Sequence, residues 1–202
     1  MTAALVAGLA AGYGVAIPVG AVATYLMSLT ARAGLRVGAC AALGVATVDG
    51  LYALLAAVGG TAVSAAVQPI LVPLRWVSAA VLIGLAVRGV FGALRAYRGM
   101  VAARAVPGGA LRAYARLVAI TLLNPTTLIY FAALVLGGRA TVGLFDRGVF
   151  VVAAFAASAS WQLLLAAGGA LLGRLLAGPR ARLGTAIASA ALMAGLAVRL
   201  VV

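Results

Sequence analysis

The stretch LRVGACAALGVATVDGLYALLAAVGG, residues 35–60, decides the fold class. Beyond Arg36 it runs to Gly60 with one charged side chain, Asp49. An α-helix rising about 1.5 Å per residue needs roughly 20 such residues to cross a hydrocarbon core about 30 Å thick. Working outward, apolar runs of similar character lie at roughly 3–30, 37–63, 70–91, 117–137, 148–173 and 183–202, so the sequence predicts an all-α integral membrane protein with six transmembrane helices. Composition agrees. Hydrophobic residues make up 66% of the 202 residues and charged ones 8%, against about 45–50% and 25% in soluble domains. A soluble fold of this size has too little interior to hide the surplus. The first run has no charged segment ahead of it and is too long for the apolar region of a signal peptide, so it is read as a retained span.

Charge narrows the function classes. Histidine, lysine and glutamate are absent, the acids are Asp49 and Asp146, and Cys40 is the single cysteine. Without imidazole or paired thiols there is no catalytic triad, no internal disulfide and no metal site of the His/Cys kind, so the reading is a non-enzyme that needs no cofactor. The fifteen positive charges, all arginine, give a net +13, but they lie between apolar runs and not in a cluster suited to nucleic acid. Arg32 and Arg36, Arg88 through Arg116, and Arg174, Arg180 and Arg182 fall on one side of the predicted topology; Arg75, Arg139, Arg147 and Arg199 fall on the other. The positive-inside rule puts the first side in the cytoplasm and both termini outside. Asp146 reads as a solvated charge in an external loop. The long connection 92–116 carries Arg95, Arg98, Arg104, Arg112 and Arg116 around the turn signal Val106-Pro107-Gly108-Gly109.

The chain also resembles itself. AAVLIGLAVRGV (79–90) and AALMAGLAVRLV (190–201) are identical at eight of twelve positions, at an offset of 111. Pro18 and Pro125 each interrupt the first span of a half, at an offset of 107. One transmembrane domain with repeat one at about 1–91, the loop 92–116 and repeat two at about 117–202 follows. Three spans per half make the repeats inverted, as in secondary carriers; chance identity in an alanine-rich chain is the alternative. Each proline removes a backbone donor and crowds the carbonyl four residues earlier, that of Gly14 or Thr121. At membrane depth such groups must face protein or a wet cavity. A plain kink satisfied by Thr121 and Asn124 is the simpler reading.

Asp49 lies about thirteen residues beyond Arg36, or about 20 Å into the membrane. A carboxylate there costs several kcal/mol, so it should face the bundle interior, paired or neutral. Arg88 and Tyr52 are the partners a purely structural role would use. Pro18, Gly20, Thr121, Asn124 and Pro125 fall at comparable depth, and one cavity touching both Asp49 and Asn124 would mark a transport site. The second-half counterpart of Asp49 is Ser158-Ala-Ser160-Trp161-Gln162. Ser158, Ser160 and Gln162 are candidates to complete the site by hydrogen bonding, with serine hydroxyls bonded back to their own helix as the alternative, and Trp161 is a candidate for its wall or a filler of the helix interface. Gly8/Gly12 and Gly169/Gly173 suit close helix contact, within the chain or between subunits.

Pro18-Val-Gly20, the run RAGLRVGACAALGVATVDGLYALLAAVGG, Leu122-Leu123-Asn124-Pro125 and the GLAVR repeat together resemble the lysine exporter (LysE/RhtB) family over nearly the whole chain. Pro18 and Gly20 match its Pro-Gly-Pro element loosely; Gly34, Gly38, Gly44 and Asp49 match the second motif; Asn124 and Pro125 match the third. Ala21, Thr24 and Thr126 depart from it. The resemblance implies a multi-pass bacterial inner-membrane carrier in a lipid bilayer, homodimeric, exporting an amino acid or related small solute against a proton or other ion gradient. Metal cations and lipid-like solutes belong to related families. The residues alone leave a second reading, a membrane scaffold whose basic loop holds a partner or anionic lipid. In the carrier reading Asp49 binds either the coupling proton or the substrate's ammonium, giving exchange of one for the other.

Overall fold

A computed structural model describes residues 1–18, 20–67, 71–98, 109–136, 143–175 and 179–201. Among them the regular structure is helical throughout: α1 (Thr2–Ala16), α2 (Ala21–Ala33), α3 (Leu35–Val67), α4 (Leu71–Tyr97), α5 (Gly109–Leu122), α6 (Pro125–Leu136), α7 (Leu144–Leu175) and α8 (Pro179–Val201). Among the described residues three stretches are long and apolar enough to cross a membrane alone, namely Leu35–Val58, Val72–Arg95 and Leu144–Leu175; the bent pair α1 and α2 has the length and composition of a broken span or a re-entrant loop, and Leu183–Val198 is a shorter apolar helix. This is a membrane protein.

The single helices expected over 3–30 and 117–137 are each two helices. Pro18 cannot continue the ladder of α1, and α2 departs at 74° to α1. The second break falls at Asn124-Pro125. The connection expected over 92–116 is also narrower. Arg95 lies in the last turn of α4, which runs to Tyr97, while Arg112 and Arg116 ride on α5, whose buried residues Ala113, Leu117, Ile120 and Thr121 form one helical stripe. Arg104, Val106-Pro107-Gly108 and Arg139 lie outside the described residues. Between α2 and α3, Gly34 has φ +87°, a left-handed setting that favours glycine, and its N–H returns to the Thr30 carbonyl at 2.9 Å.

Each half thus runs broken pair, long helix, closing helix. The long helices α3 and α7, of 33 and 32 residues, pack on each other at the centre. They also cross over: α7 lies along α1 and α2, the first half's broken pair, whereas α3 lies along α5 and α6, the second half's. Lipid is as apolar as the side chains, so packing and not water exclusion holds such helices together, and it rewards close backbone approach. Gly8 and Gly12 supply it where α1 meets the backbone of Phe150 and Ala154, and Gly169 and Gly173 where α7 meets Met27 and Ala31. The small-residue pairs therefore serve contacts inside the chain.

The closing helices α4 and α8 pack together, and the repeated segments lie on them. Ala79, Leu82 and Ala86 are buried in the same core cluster as Ala190, Met193 and Ala197, position for position at the offset of 111. Gly84 and Gly195 both sit on the exposed side. The shared sequence is therefore a shared buried face.

Candidate functional site

The break at Asn124 is closed by capping. Asn124 is the N-cap of α6 and Pro125 its first residue, where a missing N–H is not felt. The Asn124 Oδ1 accepts the Thr126 N–H at 3.2 Å, and its Nδ2 donates to Thr127 Oγ1 at 3.1 Å. On the other side of the break, three carbonyls at the end of α5 have no continuing helix to bond. The Thr121 carbonyl accepts the Asn124 N–H at 3.0 Å, the Leu122 carbonyl accepts the Tyr52 hydroxyl at 2.9 Å, and the Leu123 carbonyl accepts the Ser78 hydroxyl. Backbone groups at membrane depth must be satisfied inside the protein, and here α3 and α4 each lend a hydroxyl to do it.

The break at Pro18 is built differently. α2 begins after Gly20, which is extended (φ −100°, ψ −169°) and offers no side-chain cap to the N–H groups of the first turn. The Thr24 N–H and Oγ1, each at 3.0 Å, both donate to the Gly20 carbonyl, which fixes the turn, and among the described residues no side chain caps the first turn of α2. One break is closed by the Asn124 cap together with hydroxyls from α3 and α4; the other, among the described residues, has no side-chain cap on its positive helix end.

Both breaks open onto one cavity of about 370 Å³. Gly14, Val15 and Pro18 line it from the end of α1; Gly20, Ala21 and Val22 from the start of α2; Asn124, Thr126, Thr127 and Tyr130 from the start of α6. Ser78, Val81 and Leu82 of α4, Ile120 and Leu123 of α5, and Leu196 of α8 complete the walls. Of the candidates from sequence, the structure brings Pro18, Gly20 and Asn124 together here.

The other candidates lie outside the cavity lining. Asp49 is 2% exposed, and its Oδ2 accepts the hydroxyl of the fully buried Ser158 at 2.6 Å. This bond joins α3 to α7 at matching points of the two halves. Gln162, one turn beyond Ser158, is buried too, and among the described residues Gln162 Oε1, Trp161 Nε1 and Thr121 Oγ1 have no hydrogen-bond partner. Neither suggested structural partner of Asp49 serves. Arg88 is exposed and Tyr52 is turned to the α5 carbonyl. Polar features expected around one cavity thus occupy two places, a cavity at the breaks and a packed pair between the long helices. Asp146 is partly solvent-exposed, in line with expectation, but it stands on the first turn of α7 and not in a loop, and it pairs with the Met1 ammonium at 3.1 Å.

Sequence reasoning passed over Ser78 and Tyr130, and weighed Tyr52 only as a partner for Asp49. Ser78 had a signal, since it is the one serine or threonine hydroxyl between Leu71 and Tyr97. The profile of the LysE type translocator family matches residues 14–202. No curated protein and no solved structure matches the chain.

Proposed function

We propose that this chain, which belongs to the LysE type translocator family, is a secondary exporter of amino acids or related small solutes across the bacterial inner membrane, coupled to proton antiport. The observation that carries the reading is the cavity shared by the two helix breaks. The bare first turn of α2 suits the substrate carboxylate, since its N–H groups and helix dipole favour an anion. The end of α1, where Pro18 withholds a donor from the Gly14 carbonyl, suits the ammonium. Carbonyls at the end of α5 are engaged by Ser78 and Tyr52, so substrate recognition falls mainly on the first break.

Asp49 is the proton site in this reading. Burial makes its charged form costly, and the other side-chain carboxyl, Asp146, stands in the first turn of α7 beside the Met1 ammonium. Because it stands outside the cavity lining, coupling runs through the helices and not through direct contact with the ammonium in this state. Each of α3 and α7 carries the other half's broken pair, so a proton gained or lost at the Asp49–Ser158 link shifts the two breaks relative to each other. With the halves as inverted repeats, that shift alternates access, one proton moving in for each substrate moving out. Homodimerisation belongs to the same reading.

The test is reconstitution. Proteoliposomes holding the purified chain and loaded with radiolabelled amino acids should release label faster when an opposing proton gradient is imposed. Release unaffected by the gradient and abolished by no substitution at Pro18, Gly20 or Asn124 would refute the carrier reading and leave the scaffold.

A further inference from the structure

We infer that the exported solute is a neutral amino acid with an apolar side chain, of leucine or phenylalanine size, because the cavity at the two breaks offers no charged wall to any other side chain. This rests on the exporter reading above and names its substrate class. Beyond the helix ends, the cavity is walled by Val15, Val22, Val81, Leu82, Ile120 and Leu196. Its polar side chains are largely used within the protein. The Ser78 hydroxyl is spent on the Leu123 carbonyl, and the Asn124 amide on the Thr126 N–H and the Thr127 hydroxyl.

The acids are accounted for over the whole sequence. Asp49 is bonded to Ser158 outside the lining, and Asp146 faces the Met1 ammonium at the start of α7. A lysine or arginine side chain entering the cavity would lose its hydration and find no carboxylate, the costliest way to bury a charge. A glutamate side chain fares no better, since no arginine is among the described residues of the walls. A metal cation would find no carboxylate, thiol or imidazole there. The volume, about 370 Å³, lies at the low end of the roughly 300–1,000 Å³ range of small-molecule pockets, which suits one amino acid and is small for a lipid.

The experiment is counterflow of radiolabelled L-leucine into proteoliposomes of the full chain, with unlabelled L-isoleucine, L-phenylalanine, L-lysine and L-glutamate as competitors. Isoleucine and phenylalanine should compete within a few-fold of leucine, and lysine and glutamate at least about tenfold more weakly. Lysine competing as well as leucine would overturn this inference while leaving the exporter intact. Absence of counterflow for all of these amino acids would overturn both. As a second arm, Val81→Asp puts a carboxylate into the wall and should raise lysine relative to leucine at least about tenfold. If that variant does not fold, the competition series on the unmodified chain still decides.

Discussion

The bond from Ser158 to Asp49 compresses much of the chain's chemistry into two side chains. Depth alone marked Asp49 in the sequence, because the distance from Arg36 can be counted along a helix. Its partner was legible only as a region, 158–162, since repeat offsets near 107 to 111 do not fix a register to one residue. Asp49→Asn keeps the shape and a hydrogen-bonding group but removes the exchangeable proton. The expectation is a protein that still inserts and melts near the parent temperature, with gradient-driven export lost, while Asp146→Asn exports normally; pH-driven flux through Asp49→Asn at the parent rate would reassign the coupling. Ser158→Ala asks a different question. It strips a buried carboxyl of its described hydrogen bond, which should destabilise the protein by about 1–3 kcal/mol, read as a lower melting temperature in detergent.

Among the elements, the two breaks carry the argument. Their positions were readable, because proline inside an apolar run has few meanings, whereas their difference was not. Asn124-Pro125 spells a cap and a first helical residue, but the donors that close the end of α5 come from Tyr52 and Ser78, 70 and 45 residues away from the carbonyls they serve. A hydroxyl in an apolar helix gives no hint of which distant carbonyl it meets. Tyr52→Phe and Ser78→Ala should each lower stability by about 1 kcal/mol or more. Because both hold the same turn, the double variant should deviate from additivity by about 0.5–3 kcal/mol. Clean additivity in thermal melts would mean that the two carbonyls are held independently. The close crossings make a sharper case. At Gly12 a Cβ would run into the Ala154 carbonyl, and at Gly173 into that of Ala31, so Gly12→Val or Gly173→Val should cost at least about 1–3 kcal/mol. Gly84→Ala on the exposed side of α4, with nothing near its Cβ position, should be tolerated; comparable losses at all three sites would show that backbone freedom, and not proximity, governs these glycines.

For the molecule as a whole, hydropathy was enough to recognise a helical membrane protein, and the repeated segments pointed to the buried face that α4 and α8 share. The crosswise packing of α3 and α7 onto the broken pairs was beyond reach, since apolar residues on every side of a membrane helix erase the periodicity that would name its buried face. The same limit applies to direction. Arginine placement supplies it, through the preference of cationic loops for the cytoplasm. Arg95, Arg98 and Arg112 flank the link from α4 to α5, and Arg174 and Arg180 flank the link from α7 to α8; both links should therefore be internal and the start of α1 external. In the proposed carrier, with the halves as inverted repeats, the cavity would open alternately to the two sides. The check uses Cys40→Ser as background, with Thr2→Cys or Ala110→Cys added singly, and a membrane-impermeant maleimide on intact cells. Thr2→Cys should label from outside, and Ala110→Cys only after the membrane is opened. Labelling of Ala110→Cys in sealed cells would invert the molecule in the bilayer. Antiport down the same inward proton gradient would still drive the solute outward, so that result would overturn the orientation and not the direction of transport.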